Sequence, residues 1–272
     1  MELIDISIPK EYLALRINYC REQLRLLPDV KMYKHNATDS GKVRLVVGNH
    51  KYESSTDTGK HYYKIWQRRD FLQRRLKIYE AIWDANFKGE SLPECVPHKV
   101  ERKISFDART RIVMDKAYFD SLKNDANTSH PKPTDYPFNG IYYRSAAERE
   151  IAIFYTLMGI PFKYEPEIII KGIPVPIYPD FVIYIEELDT CKIHEHFGIK
   201  NSSNYLRITA IKYSNYAAAG LVPDLDVLFT NDTEDMPFDV RYLSAKLNAA
   251  IYGTMISTKH QIPCSANASK TQ

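Results

Sequence analysis

Two acidic side chains stand inside apolar runs where a soluble chain rarely leaves one. Asp180 opens Pro179-Asp180-Phe-Val-Ile-Tyr-Ile, and Glu195 sits within Ile193-His194-Glu195-His196-Phe197. An unpaired carboxylate in such surroundings costs on the order of several kcal/mol. If the strands that carry them form a hairpin through Glu186–Thr190, the two acids approach each other across a sheet and repel. A divalent cation relieves that repulsion, and hard oxygen ligands favour magnesium or manganese. Glu148, one position off the apolar stripe of the preceding helix, is the candidate third carboxylate. His194 and His196 invite a zinc reading, but alternate residues of a strand share a face, so Glu195 points away from both. No H-E-x-x-H helix is present either. His196 is expected to pack or hydrogen-bond behind the acidic site.

The elements that would position these residues follow from periodicity. Arg144–Met158 reads as a helix, with Ala147, Ile151, Phe154 and Met158 on one face and Gly159 as its stop. Strand-like runs follow at Phe162–Ile170, Ile177–Ile185 and Lys192–Ile199. A helix over Ser203–Ala219 ends at Gly220, then come a buried-type strand, Asp226–Thr230, and a helix over Phe238–Tyr252. Ahead of them, 9–27 has the spacing of an amphipathic helix. Two short strands, Lys31–His35 and Val43–Val47, flank a polar hairpin loop, and a second helix spans His61–Phe87. Residues 88–105 read as a linker and 121–140 as loop, because both collect turn residues. The expected division is a basic region over 1–105, an α/β domain over 106–255 and a polar tail over 256–272.

The second half resembles the PD-(D/E)XK nuclease superfamily, whose core runs α-β-β-β-α-β. It is most similar to a bacterial branch with four signatures. These stand here as Gly140-Ile-Tyr-Tyr-Arg144-Ser145-Ala-Ala-Glu148, Tyr164-Glu165-Pro166, Pro179-Asp180-Phe181 and Glu195-His196-Phe197-Gly198. The resemblance covers about Asn139 to Asp239. It implies a four-stranded mixed sheet flanked by helices and a magnesium- or manganese-dependent hydrolysis of phosphodiesters. The metal would be held by Asp180, Glu195, the backbone carbonyl of His196 and, for a second ion or a bound water, Glu148. The family's lysine ordinarily follows the second acid by two residues, where this chain has Phe197. Related members carry it on the next helix, and the run Tyr205…Lys212-x-x-x-Tyr216 makes Lys212 the matching catalytic residue. Ala146 and Ala147 replace a lysine that the family often places near the helical acid.

The charge distribution agrees with a polyanionic partner. The chain carries 37 basic and 34 acidic side chains, a net +3, but 1–105 holds 20 basic against 14 acidic, and the rest 17 against 20. Lys64, Arg68, Arg69, Arg74, Arg75 and Lys77 fall within 14 positions of the helix over 61–87, beside Tyr62, Tyr63, Trp66 and Phe71. Cations and aromatic rings so arranged suit phosphate contacts and base stacking. Lys64, Arg68, Arg69, Arg74, Arg75 and Tyr205 are the nucleic-acid-binding candidates. The partner expected is DNA rather than RNA, on the resemblance alone. A homodimer or a helicase-type partner is compatible with the absence of a P-loop motor.

No window comes near the roughly 18 consecutive apolar residues of a membrane span. Cys20, Cys95, Cys191 and Cys264 are too scattered for a disulfide framework or a zinc site. With no basic start followed by an apolar stretch, the expected setting is cytoplasmic, in a bacterium or phage. Two other function classes remain open: a DNA-binding module of the same fold without hydrolysis, and an interaction or assembly protein working through its N-terminal helices.

Overall fold

The computed structural model describes residues 10–34, 43–93, 103–104, 112–129, 131–170, 174–198, 203–232, 235 and 237–259. The chain divides after Pro97, within the expected linker, into a unit of Ile8–Pro97 and a larger one of His98–Gln272 with Met1–Ser7.

In the smaller unit the first expected helix is α1, Lys10–Leu26. Strands β1 (Val30–Lys34) and β2 (Val43–Val47) pair antiparallel; the hairpin loop expected between them lies outside the described residues. A third strand, β3 (His50–Glu53), follows a two-residue turn that opens on Gly48, at φ 55°. Its own sequence, His-Lys-Tyr-Glu, is too short and polar for alternation to announce it. Helix α2, Asp57–Asn86, starts four residues before the expected His61. Thr56 caps it by accepting the Gly59 N–H at 3.0 Å. A Cβ at position 59 would stand 1.8 Å from the Glu53 carbonyl oxygen, so only glycine lets β3 turn directly into α2. Leu72, Tyr79 and Trp83 of α2 form one apolar cluster with Leu13, Ala14, Ile17 and Cys20 of α1.

The larger unit opens with two short strands, β4 (Lys103–Ile104) and β5 (Ile112–Val113), and a short helix α3, Lys116–Ser121. The stretch read as loop over 121–140 contains half of a small hairpin. Its strands are β6 (Pro137–Phe138) and β7 (Ile141–Tyr142), and Asn139 and Gly140 turn it at φ 48° and 78°. Then follow α4 (Ala146–Leu157), β8 (Phe162–Tyr164), β9 (Phe181–Ile185), β10 (Thr190–Phe197), α5 (Ser203–Ala218), β11 (Val227–Asn231) and α6 (Val240–Lys259). The last four strands form one mixed sheet in the order β11-β10-β9-β8, antiparallel except for the β10–β11 pair. The protein is thus of the mixed α/β class, with several sheets and packed helices.

Strand β8 is much shorter than the expected 162–170. Glu165 sits at φ 40°, and the N–H groups of Asp125 and Ala126 bond to the carbonyls of Tyr164 and Glu165 at 2.7 and 3.0 Å. That loop takes the hydrogen bonds a longer strand would need, and farther on, among the described residues, only the bridge Ile168–Ile177 forms. At the other end α6 runs to Lys259, past Ile256, where the polar tail was expected to begin; residues 260–272 lie outside the described set. The sheet is covered on both faces. Tyr155 of α4 packs on Phe181 and His194, and Thr254 of α6 bonds Lys192. On the opposite face Tyr213 and Tyr216 of α5 pack on Phe229. No described helix is long and apolar enough to cross a membrane.

Candidate functional site

Glu148 is placed by the start of α4. Ser145 caps the helix by accepting the Glu148 N–H at 3.2 Å, and its hydroxyl donates back to Glu148 Oε1 at 3.3 Å. Ser-x-x-Glu is a capping-box signature, a local reason for this residue that the apolar stripe alone did not reveal. The other oxygen, Oε2, accepts the Tyr164 hydroxyl at 2.6 Å and the Arg144 N–H at 3.1 Å. Burial first, and then the nearby Asp180 charge, push Glu148 up to about 7, against the pull of those hydrogen bonds.

The sequence signatures interlock here. Arg144 grips Glu165 with Nε at 2.6 Å from Oε1 and Nη2 at 3.2 Å from Oε2. Glu165 is also held by Lys132 at 2.9 Å and by the Asn127 amide at 3.1 Å. A buried carboxylate with this many donors is fully compensated, so the pair anchors the α4 N-terminus to the end of β8.

Asp180 precedes β9, where its Oδ2 accepts the backbone N–H of His196 at 2.7 Å. This bond ties the acid directly to the strand that carries Glu195. Glu195 has no exposed surface. Lys212 of α5 reaches its Oε2 at 2.6 Å, and the Tyr216 hydroxyl donates to Oε1. Burial raises the Glu195 pKa and the Asp180 charge adds to this, while Lys212 and Tyr216 oppose them. Lys212 and Tyr216 are four apart on a helix and therefore share a face.

A cavity of about 450 Å³ brings Glu148, Asp180, His196, Lys212 and Asp232 together. A second, of about 440 Å³, is lined by Glu195 and Tyr216 and again by Arg144, Asp180, Ile208 and Lys212. Asp180 and Lys212 thus stand on the wall common to both. His196 is buried, with Nδ1 at 2.9 Å from the Thr230 hydroxyl and Nε2 at 3.4 Å from Asp232. Asp232 follows β11 in a polar stretch, and nothing in its spacing marked it beforehand.

As they stand, no three His, Cys, Asp or Glu side chains among the described residues are grouped tightly enough to hold a metal ion. The donor chemistry nevertheless fits a hard divalent cation. Asp180 and Glu148 line one cavity, and burial, with the Asp180 charge adding to it, raises the pKa of Glu148 and of Glu195.

The remaining candidates are elsewhere. Tyr205 is on α5, with its side chain outside the described set. Lys64, Arg68, Arg69, Arg74 and Arg75 are on α2, in the other unit. Arg69 closes the end of α1 by donating to the carbonyls of Leu24 and Leu27 at 3.0 and 2.8 Å, and its side chain is only 14% exposed. Arg74 pairs with Asp70 at 2.7 Å, Arg75 donates to the Tyr79 hydroxyl at 2.9 Å, and Arg68 donates to that of Tyr19 at 3.3 Å. Comparison with family models, curated proteins and solved structures finds no match for this chain.

Proposed function

We propose that the larger unit is a metal-dependent endonuclease of the PD-(D/E)XK type that hydrolyses DNA phosphodiester bonds. The observation that carries this reading is the contact between Lys212 and Glu195, 2.6 Å long, at the wall shared with Asp180. A lysine on the helix after the third strand reaches the second acid, as the resemblance requires of a relocated catalytic lysine. The element order α4-β8-β9-β10-α5-β11 supports the same reading.

Asp180, Glu195 and Glu148 would hold magnesium or manganese through their carboxylate oxygens. A cation bound there polarises a phosphate oxygen and lowers the pKa of a bound water. The His196 N–H keeps the Asp180 carboxylate oriented, and Tyr164 and Ser145 do the same for Glu148. Lys212, about one-third exposed and held by Glu195, is available to orient the attacking water or to steady charge on the phosphate. The exposed cations of α2, Lys64 and Arg74, would contribute backbone contacts to the nucleic acid, whereas Arg69 is taken up by the end of α1.

Cleavage of plasmid and of single-stranded circular DNA with magnesium or manganese tests this, with Asp180→Asn and Lys212→Ala beside the wild type. Metal-dependent cutting abolished by both supports the nuclease and the relocated lysine together. Cutting lost only in Asp180→Asn removes Lys212 from the mechanism. A folded wild type that binds DNA and cuts neither substrate overturns the hydrolytic reading in favour of a binding module.

A further inference from the structure

The two cavities that meet at Asp180 and Lys212 also share Arg144 and Ile208, and they differ in the rest of their lining. The one on the Glu148 side adds Glu148, Asp232, His196, Phe197 and a row of small residues. The one on the Glu195 side adds two carboxylates already paired with cations, Glu165 and Glu195, and an apolar and aromatic wall of Pro176, Ile177 and Tyr178 that continues to Ile208, with Asn215 on the same lining. Its volume of about 440 Å³ falls within the range of small-ligand sites, about 300–1,000 Å³. Ile208, Lys212 and Asn215 recur at helical spacing, so a single face of α5 supplies an apolar contact, a cation and an amide in one row. Among the described residues, neither the Asn215 amide nor the Tyr178 hydroxyl has a hydrogen-bond partner, although the neighbouring Asn127, Arg144, Glu165 and Tyr216 all do.

An aromatic ring, an apolar wall and an amide that both donates and accepts are what a planar nucleobase requires: a stacking surface and a hydrogen-bonding edge. We propose that this second cavity receives the base of the nucleotide next to the bond that is cut, stacked against Tyr178 and read by Asn215. The inference rests on the nuclease reading for its placement beside the scissile phosphate. A base inside this cavity is outside any duplex stack, so the preferred substrate is a single strand or a duplex with an unpaired nucleotide at the cut.

Binding measured without cutting tests it independently. Wild-type protein in EDTA is titrated with fluorescent oligonucleotides of one sequence as single strand, duplex and duplex with a one-nucleotide bulge. The single strand and the bulged duplex are expected to bind roughly tenfold tighter than the duplex. Tyr178→Ala and Asn215→Ala each remove most of that preference and leave duplex affinity unchanged, whereas Tyr178→Phe keeps it because the stacking face survives. Equal binding of single strand and duplex by the wild type overturns the pocket, as does a single-strand affinity untouched by both alanine substitutions. The same oligonucleotides with magnesium or manganese separate the two readings. Preference without any cutting keeps the pocket and overturns hydrolysis, and cutting without preference keeps the nuclease and overturns the pocket.

Discussion

On the α4/α6 side of β10, Lys192, His194 and His196 are all buried. The Lys192 ammonium donates to the Leu225 carbonyl at 2.6 Å and to the Thr254 hydroxyl at 2.8 Å. The two histidines belong to a chain in which the Tyr155 hydroxyl meets His194 Nδ1, and Thr230 links His194 Nε2 to His196 Nδ1, at 2.8–2.9 Å throughout. Burial pushes His194 down to about 3, so its ring is neutral at physiological pH. On the α5 side the strand buries a single polar side chain, Glu195, and its cationic partner is about one-third exposed on the wall of a cavity. Both faces partner most of their polar groups, His196 Nε2, which lies 3.4 Å from Asp232 without a hydrogen bond, being an exception. The first does so mostly through uncharged partners inside the core, which stabilises one packing arrangement. The second holds opposite charges where a ligand can reach them. Buried polarity alone therefore does not single out a candidate site; charge at the edge of a cavity does.

The largest expected effect contrasts the two faces directly. Asp180→Asn should lower metal-dependent cutting about a thousandfold while the melting temperature stays close to that of the wild type. His194→Ala should do the reverse. It leaves the Tyr155 and Thr230 hydroxyls without their ring partner, costs roughly 2–4 kcal/mol and keeps cutting within a few-fold at low temperature. Loss of cutting in His194→Ala with no loss of thermal stability would break the comparison.

A smaller effect is expected of Tyr216→Phe. It removes one of the two donors to Glu195 and leaves Lys212 in place. We expect destabilisation of about 1–2 kcal/mol in chemical denaturation, together with weaker cutting. An unchanged denaturation midpoint would show that the hydroxyl contributes nothing to holding the acid.

The smallest effect is in the pH dependence of stability, where the candidate site and the buried histidine chain should differ in sign. Glu148 at about 7 lies above the ordinary 4.5, so the folded protein holds a proton that the unfolded chain releases. Stability from this residue is greatest below about 4.5 and is lost as pH rises toward 7. His194 at about 3 lies below the ordinary 6.5, so its contribution is present above 6.5 and is lost as pH falls toward 3. Glu148→Gln should flatten the decline between pH 5 and 7.5, with shifts on the order of 5 °C in melting temperature. His194→Asn should flatten the acid limb instead. Identical pH profiles for the two variants would remove the distinction between the candidate site and the buried chain.

Much of the larger unit was legible beforehand. The helix at 146–157 and the strands at 181–185, 190–197 and 227–231 fall inside or within two residues of the runs of periodic and β-branched residues that announced them. These signals are local, each carried by a side chain and its near neighbours in sequence. Strand β8 was overestimated because its true end is set by Asp125 and Ala126, about 40 residues earlier in the chain. Strand β3 was missed because its four residues draw their order from pairing with β2.

The candidate site divides in the same way. Asp180, Glu195 and Glu148 stood out by residue type against apolar surroundings, and the four-residue spacing placed Lys212 with Tyr216 on one helix face. Which strand that face meets could not be read from spacing, because the packing of α5 across β10 brings together residues 17 apart. Arg144 with Glu165, Tyr164 with Glu148, and His196 with Asp232 are likewise pairs that no local pattern encodes. By itself the sequence determined which elements form and which residues carry charge into them, since helical and strand periodicity depend on near neighbours. Only the tertiary structure decided which charges meet, because that depends on the burial and packing of distant segments.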